Sequence, residues 1–354
     1  MAEYTFPESP LEFAMFDWIE DSGQPVADIV EHKMQLVETA DKGGLYAWHI
    51  AEHQGTPLSV DISPSLLLAA AIQRTKNLHV GALTFCLPWY NPYRLYNEIC
   101  MLDQMSRGRV ELGVGRGVSL FESAYYGIKD LEDSRSRYRE ALDIFITACG
   151  TDELTYDGKY HSYDGLELHN KPYQSPYPPL WFPSSSKDVV QFTASHGYNT
   201  VLPGSAEYIR GMLEQYREVW VEHKDDPGRH NAHVAAPKLG RSHHILVADT
   251  DVEAEALVGP AHTVWSDHIQ HLWKKNGQTA PKAVAPSVVC GAPKTVVQQL
   301  VQSIKESTVN YVMLVFSFGN LKPEHAQHSL ELFLKDVMPA VWSDLGVIKK
   351  AAGG

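Results

Sequence analysis

The chain has few basic residues, few cysteines and no long apolar runs. It contains 30 Lys and Arg against 43 Asp and Glu, a formal net charge of −13 over 354 residues. Nucleic acids and acidic membrane surfaces attract clusters of Lys and Arg, so we expect neither as a partner. No apolar stretch approaches the length of a membrane span. The first residues lack the basic and apolar parts of a signal peptide, so we expect no secretion.

The cysteines and histidines form no recognisable metal or disulfide pattern. The four cysteines are far apart in the sequence, at Cys86, Cys100, Cys149 and Cys290. Such spacing predicts neither a disulfide framework nor a zinc knuckle. The histidines do not combine with carboxylates at the spacing of a metal site, so we expect no catalytic metal. These features favour a reduced, cytoplasmic protein.

Several catalytic and nucleotide-binding motifs are also missing. A P-loop would need Ser or Thr after Gly158-Lys159, but Tyr160 follows. The dinucleotide fingerprint GxGxxG would need a glycine where Val118 stands. There is no GxSxG elbow and no HExxH helix. The sequence therefore argues against a P-loop nucleotidase, a doubly wound dinucleotide-binding sheet, a serine hydrolase of the elbow type and a zincin.

What the chain does contain is a regular alternation of short β-like runs and longer helical patterns. The helical patterns include Pro64–Thr75 and Pro92–Met105. Eight β runs separated by helices predict a (β/α)8 barrel. The predicted strands are Glu12–Asp17, Gly44–His49, Leu78–Phe85, Val110–Gly115, Leu180–Pro183, Asn199–Leu202, His243–Ala248 and Tyr311–Phe316.

Two long connections interrupt this alternation. Residues 154–179 are rich in Tyr, Pro and Gly and predict an excursion outside the barrel. Residues 262–293 lie between the seventh and eighth predicted strands, and we interpret them as a lid-like loop over the barrel mouth. We expect residues 1–348 to form a single barrel domain and residues 349–354 to be a disordered tail.

Two segments at predicted strand ends suit an anion. Arg116 follows the fourth β run and has a glycine on either side, and its planar fork of donors suits a phosphate. Ser184, Ser185 and Ser186 follow the fifth β run and precede a helical pattern, where hydroxyls and free N–H groups bind anions. Together they favour one shared phosphate site. Arg107 and Arg109 are interpreted as solvated charges at a helix end.

His53 follows the second β run and is the candidate acid or base. Its ordinary pKa lies near neutrality, which suits proton transfer at a strand end. A structural, hydrogen-bonded histidine is an equally good interpretation of the residues alone.

The order of motifs along the chain resembles the bacterial-luciferase-like flavin-dependent monooxygenases, a family of (β/α)8 barrels. The resemblance covers nearly the whole chain, and its individual motifs are short. The matching segments are Glu52-His53, Gly81-Ala82-Leu83, Leu87-Pro88, Asn91-Pro92, Leu102–Arg109, Gly113–Gly117, Glu122, Gly127, Gly291-Ala292-Pro293 and Asp336–Pro339.

The resemblance implies FMN at the carboxyl ends of the strands. Arg116 falls on the family's phosphate-binding arginine, and Ser184, Ser185 and Ser186 fall on the segment that supplies further phosphate hydrogen bonds. His53 matches the acid/base histidine near the flavin. Ala82-Leu83 matches a non-prolyl cis peptide beneath the flavin ring. Gln54 and Gly115 depart from the luciferases' second histidine and reactive cysteine, which argues against aldehyde-linked light emission.

The implied activity is oxygenation of a small organic substrate with reduced FMN and O2, through a C4a-peroxyflavin. A separate NAD(P)H:flavin reductase would supply the reduced FMN, and the oxygenase would be a homo-oligomer. The resemblance leaves two alternatives open. One is hydride transfer with deazaflavin F420, and the other is a non-catalytic flavin-binding partner subunit.

Overall fold

A computed structural model describes residues 9–183, 187–278 and 287–347. Its strands are β1 (Glu12–Asp17), β2 (Ala47–Ile50), β3 (His79–Ala82), β4 (Phe85–Cys86), β5 (Leu112–Gly115), β6 (Glu153–Asp157), β7 (Ser162–Glu167), β8 (Leu180–Trp181), β9 (Thr200–Leu202), β10 (Leu239–Val247), β11 (Ser287–Gly291) and β12 (Tyr311–Val315).

The helices lie mainly between these strands. They are α1 (Val26–Gly43), α2 (Pro64–Arg74), α3 (Pro92–Ser106), α4 (Leu120–Ala124), α5 (Leu131–Cys149), α6 (Lys187–His196), α7 (Ala206–His223), α8 (Asp251–Lys275), α9 (Pro293–Ser307), α10 (Pro323–Leu332) and α11 (Met338–Asp344). A 3-10 turn covers Leu87–Trp89, and a π-helical turn covers Phe333–Val337.

Eight parallel strands close into a ring, in the order β1, β2, β3, β5, β8, β9, β10 and β12. Two of the junctions are single bridges, Val80 with Val110 between β3 and β5, and Trp181 with Asn199 between β8 and β9. Each of the eight β runs expected from the sequence overlaps one of these strands. The prediction of a (β/α)8 barrel is confirmed.

Large rings fill the barrel interior. In a strand, successive side chains point to opposite faces, so alternate residues face the barrel axis. The register places Tyr311, His49 and Trp181 together inside, with ring centroids 4.9 to 6.0 Å apart. Phe13 points outward instead and meets Phe333 edge-on at 5.4 Å, which anchors the C-terminal helices to the barrel.

The expected excursion contains an antiparallel hairpin, β6 paired with β7. It follows α5 and precedes β8, and it belongs to a sheet separate from the barrel. The hydroxyl of Tyr156 donates to Asp143 of α5 at 2.8 Å, which fixes the hairpin against that helix.

The expected lid-like loop is not a loop over most of its length. Residues 262–275 belong to α8, and residues 287–291 are β11, which pairs in parallel with β10. Residues 279–286 in the middle lie outside the described residues. The helix was missed because Gly277, Pro281 and Pro286 suggested a loop, although the buried side chains follow helical spacing, at Val258, Ala261, Trp265, Ile269 and Leu272.

Helix α8 crosses the mouth of the barrel. His268 of α8 pairs with the buried Glu20, which follows β1, at 2.9 Å. Beyond its last turn, the side-chain oxygen of Asn276 accepts from Ser119 Oγ and from the N–H of Phe121, both at 3.0 Å. Ser119 caps α4, on the far side of the mouth. The structure therefore supplies a helical cover where the sequence predicted a loop.

The chain leaving β12 passes directly beneath α8. Gly319 has a φ of +56°, and a Cβ on it would lie 2.0 Å from the carbonyl oxygen of Ala261. No other residue type fits there, because the backbones of the two segments are in contact. The close packing of α8 on the barrel thus requires a glycine at position 319.

None of the helices in the described ranges is both long and apolar enough to span a bilayer. The expected tail, residues 349–354, lies outside those ranges.

Candidate functional site

The predicted site residues lie at the carboxyl ends of neighbouring strands. His53 follows β2, Ala82 and Leu83 lie at the end of β3, and Arg116 follows β5. The N–H of Leu83 donates to Ile50 of β2 at 2.8 Å, so the ends of β2 and β3 are held together. Ser184, Ser185 and Ser186 follow β8 and lie outside the described residues. The sequence therefore located one rim of the barrel mouth.

His53 is paired with a buried carboxylate. Its Nδ1 lies 3.0 Å from Glu122 Oε1 and 3.3 Å from Oε2, and Glu122 is 1% exposed. The N–H of Gln54 donates to the same carboxylate at 2.8 Å. A carboxylate on Nδ1 fixes the tautomer and orientation of the ring. Among the described residues His53 Nε2 has no hydrogen-bond partner, so this nitrogen is available to a ligand.

Glu52 points away from His53 into a second network. Its carboxylate accepts from the N–H of Cys86 at 2.7 Å and from the hydroxyl of Tyr90. Burial raises the pKa of Glu52 to about 7, although both hydrogen bonds act in the opposite direction. A carboxyl group with this pKa exchanges its proton near neutral pH. Glu52 fixes the segment that follows β3 to the end of β2.

Arg116 is a cation without an acidic partner. Its side chain is half-buried and donates to the carbonyl of Gly117 at 3.0 Å. No carboxylate lies within ion-pair distance of it among the described residues. Burial and the nearby Arg135 both lower the pKa of Arg116. An unpaired, partly desolvated guanidinium is a strong site for an anion.

Tyr138 of α5 is a further candidate donor on the side of the site near β8. Ser134, one turn earlier on α5, contacts the carbonyl of Arg116 at 3.4 Å. Tyr138 meets Phe182, which follows β8, at a ring distance of 5.8 Å. Its hydroxyl is buried and has no hydrogen-bond partner in the described part of the chain. A buried hydroxyl normally finds a partner, so the Tyr138 hydroxyl is a candidate donor to an anion bound near the end of β8.

Packed residues connect Arg116 with the His53–Glu122 pair along the rim of the mouth. A Cβ on Gly117 would lie 3.5 Å from the Sγ of Cys86 and 3.2 Å from Trp89. Trp89 stacks on Tyr126 at 5.0 Å with an interplanar angle of 4°. Arg116 and the His53–Glu122 pair therefore border one site with aromatic walls, which matches a cofactor that carries a phosphate and a planar ring.

The cis peptide lies one residue later than expected. The non-prolyl cis bond joins Leu83 and Thr84, not Ala82 and Leu83. Ala82 is still paired in the β2–β3 ladder, and the N–H of Leu83 continues that ladder. The regular strand pairing thus extends past the predicted bond, which is trans.

One expectation about the fourth β run needs correction. Arg109 is not a solvated charge, because its guanidinium donates to the carbonyls of Ile72, Thr75 and Leu78 at and beyond the end of α2. Gly113, before Arg116, marks a close approach of two backbones. A Cβ on Gly113 would lie 2.1 Å from the carbonyl oxygen of Ala82, so the glycine lets β3 and β5 approach.

Sequence reasoning gave no role to Glu122 or Tyr138. Glu122 is far from His53 in the sequence, and only the barrel closure brings the two together. Tyr138 sits on the buried face of α5, where an aromatic residue is ordinarily core. One feature of the sequence could have indicated a role for Glu122, namely its position in the N-capped turn that follows Arg116.

Comparison with known proteins identifies the family. The model of the luciferase-like monooxygenases matches residues 11–310, so the chain belongs to this family of oxidoreductases. An uncharacterised protein of Sinorhizobium fredii is 30% identical over 94% of this chain and 98% of its own length. The oxygenase component of the flavin-dependent trigonelline monooxygenase of Acinetobacter baylyi is 21% identical over 93% and 95% of the two chains.

Solved structures show the same fold. The oxygenating constituent of 3,6-diketocamphane monooxygenase of Pseudomonas putida, a type II Baeyer–Villiger enzyme in complex with FMN, superposes with a TM-score of 0.78. It is 22% identical and covers 94% of this chain and 98% of its own. The coenzyme F420-dependent tetrahydromethanopterin reductase of Methanopyrus kandleri has a TM-score of 0.69 at 15% identity, covering 94% and 99%.

Proposed function

We propose that the chain is the oxygenase component of a two-component flavin monooxygenase. It takes reduced FMN from a separate NAD(P)H:flavin reductase and uses O2 to oxygenate a small organic substrate. The oxygenase component of trigonelline monooxygenase, among its relatives, supports this division of labour. Bound reduced FMN supplies the electrons that activate O2.

Each part of the rim has a task in this proposal. Arg116 and Tyr138 hold the phosphate, with Ser184, Ser185 and Ser186 as further donors. Ala82 and Leu83, at the end of β3, would border the flavin ring. Helix α8 excludes water from the mouth.

His53 holds and moves a proton at Nε2, and Glu122 fixes the tautomer that leaves this nitrogen free. The pairing of His53 Nδ1 with the buried Glu122 is the observation that carries the proposal, because a non-catalytic flavin-binding subunit would have no use for an oriented imidazole.

Anaerobic titration tests the choice of cofactor. We expect the protein to bind reduced FMN, followed by tryptophan fluorescence, and to bind reduced F420 more weakly. Tight binding of reduced F420 without reduced FMN would instead favour hydride transfer. Binding of both forms of FMN with no change in the rate of flavin reoxidation by O2 would favour the non-catalytic subunit.

Rapid mixing of the reduced-FMN complex with O2 tests the role of His53. We expect the reoxidation rate to depend on pH in the native protein and to lose that dependence in His53→Asn, with Glu122→Gln shifting the profile. His169→Asn is the matched control, because that ring is 86% exposed. An unchanged pH profile in a flavin-loaded His53→Asn protein would remove the assigned role.

The proposal includes a cytoplasmic homo-oligomer. Light scattering on the purified protein measures the assembly, and a monomer at micromolar concentration would contradict that part alone.

A further inference from the structure

A group of five rings occupies the half of the mouth opposite Arg116. We call it the ring box, formed by Trp18, His244, His262, Trp265 and Phe318. His244 is its centre: it stacks on Phe318 at 4.4 Å and 16° and meets Trp265 edge-on at 4.5 Å. Trp18 and His262 complete the box at 5.6 and 5.3 Å from His244.

His244 points toward the barrel axis. In the ladder between β10 and β12, Gly240 is paired with Tyr311 and His244 with Val315. Tyr311 faces the interior, and residues two and four places along a strand share its face. The neighbouring His243 faces outward and is satisfied by Ser287 and Ser303. Adjacent histidines on one strand therefore have opposite surroundings.

The box contains a concentration of unsatisfied polar atoms. His244 is completely buried, and neither of its ring nitrogens has a hydrogen-bond partner in the described part of the chain. His262 Nε2 and Trp265 Nε1 are also buried and unpartnered there. Buried polar groups without partners are rare, and each one calls for an explanation. Four such atoms on three touching rings point to a ligand that completes them.

No free charge faces the box among the described residues. The carboxylate of Glu20, two residues after Trp18, accepts from His268 and from the N–H of Gly319, both at 2.9 Å. Burial holds the pKa of His244 well below its ordinary value, so the ring is neutral and offers one donor and one acceptor. The chemistry of the box suits an uncharged molecule with flat apolar faces and a hydrogen-bonding oxygen.

The box reaches the protein surface and lies beside the proposed flavin site. Trp18 and His262 are partly exposed. The box lies at the ends of β1, β10 and β12 under α8, while His53 and Arg116 lie at the ends of β2 and β5. Because β1 and β2 are paired neighbours, the two halves of the mouth adjoin.

We propose that the ring box is the substrate subsite, and that it takes a neutral cyclic or aromatic compound bearing a carbonyl or hydroxyl oxygen. His244 hydrogen-bonds that oxygen, and the ring of the compound packs against Trp18 and His262, the two partly exposed rings of the box. This inference rests on the proposed monooxygenase function for its meaning, but the recognition itself needs no flavin.

The test uses matched probes on the flavin-free protein. Indan-1-one carries the ketone, indane has the same frame without it, and indane-1-carboxylate adds a charge. Quenching of the box tryptophans reports binding. We expect the native protein to bind the ketone about tenfold more tightly than indane, the size of one hydrogen bond, and to bind the carboxylate more weakly than the ketone.

His244→Phe is the decisive variant, since it keeps an aromatic ring and removes both nitrogens. We expect it to fold with an unchanged or higher Tm and to bind ketone and indane equally. Trp265→Phe, which removes one N–H, should reduce the preference in part. His243→Gln is the matched control, which should keep the full preference because its side chain faces the outer helices.

Three results would overturn the proposal. They are equal binding of ketone and indane by the native protein, a preference that survives in His244→Phe, and no binding of any probe at millimolar concentration. Binding of FMN is measured separately on the same proteins. Loss of FMN binding with intact ketone preference would refute the proposed function and leave the subsite standing, so the two failures are distinguishable.

Discussion

The two ends of the barrel differ in how many of their buried polar groups have hydrogen-bond partners. At the amino-terminal end, which we call the floor, Glu111 lies inside the barrel with both oxygens used. They accept from Tyr46, from His79 at 3.1 Å and from Trp181 at 2.5 Å. Above them His49 bonds the hydroxyl of Tyr311 at 2.7 Å, and only its Nδ1 lacks a partner.

At the carboxyl-terminal end, the mouth, donors and acceptors are left over. Arg116 lacks a carboxylate, the hydroxyl of Tyr138 lacks a partner, and His244 lacks two, all within the described residues. The same residue types therefore serve stability where they are satisfied and recognition where they are not. Substitutions at the floor should change unfolding, and substitutions at the mouth should change ligand binding.

Acidification gives the largest expected difference between the ends. Burial lowers the pKa of His49 to about 4, and Lys238 and His79 outweigh burial to lower that of Glu111 to about 2. The unfolded chain takes up protons at higher pH than either folded group, so stability is lost as pH falls, from 6.5 for the histidine and from 4.5 for the glutamate. Urea unfolding between pH 7 and 3 should show a loss of several kcal/mol. A flat profile would contradict the floor's titration.

Glu111→Ala should destabilise the protein by about 3–5 kcal/mol, because it removes the acceptor of Trp181, Tyr46 and His79 and the buried negative charge that attracts Lys238. Urea denaturation at pH 7 measures this loss. Glu132→Ala, which removes an exposed pair with Arg139, is the control and should cost less than about 1 kcal/mol. Equal effects of the two substitutions would show that the floor is no special source of stability.

Substitution of two arginines gives the most direct comparison between a residue that serves ligand binding and a residue that serves stability. Arg116→Met should weaken FMN binding by about 10- to 100-fold, since a hydrogen-bonded charge contributes about 1.5–3 kcal/mol, and should leave the Tm unchanged. Arg109→Met should do the reverse, lowering stability by about 2 kcal/mol through lost bonds to α2 while FMN binding is retained. Fluorescence titration and thermal unfolding of both variants provide the comparison. Parallel behaviour would abolish the distinction.

Glu52→Gln gives the smallest effect and the opposite pH dependence. The folded pKa of Glu52 is raised by burial to about 7, so its contribution is lost as pH rises from 4.5 through 7. The neutral amide should therefore stabilise the protein at pH 8, by on the order of 1 kcal/mol, and leave it unchanged at pH 5. Thermal unfolding at the two pH values checks this, and a gain confined to pH 5 would reverse the assignment.

The local sequence pattern was sufficient to predict the barrel. Each strand is a short apolar run that alternates with helices, and such runs can be recognised from adjacent residues alone. The same reasoning placed His53 and Arg116 at strand ends, as the structure has them. It failed where long-range contacts decide. Strand β11 is a short edge addition to β10, and α8 was hidden by flanking glycine and proline.

The side-chain partners within the site and the position of the cis bond could not be predicted from the local sequence, because contacts between distant segments determine them. Glu122 reaches His53 only after the barrel has closed, and Arg109 is buried by the carbonyls of another helix. The cis bond moved by one residue because the β2–β3 ladder, not the local sequence, determines where regular pairing stops. The roles of Ser184, Ser185 and Ser186 stay predictions.

Gly319, beneath α8, sets how closely this helix packs on the barrel, because one added carbon atom would collide with the helix backbone. With Gly319 in contact with Ala261, a methyl group at position 319 would push α8, together with its His262 and Trp265, away from Phe318 and Glu20. A Gly319→Ala protein would then admit bulk water to the mouth, while Arg116 and the His53–Glu122 pair, which are not on α8, remain in place. Position 319 is thus a point where access of water to the mouth can be adjusted without changing the residues proposed to bind the cofactor.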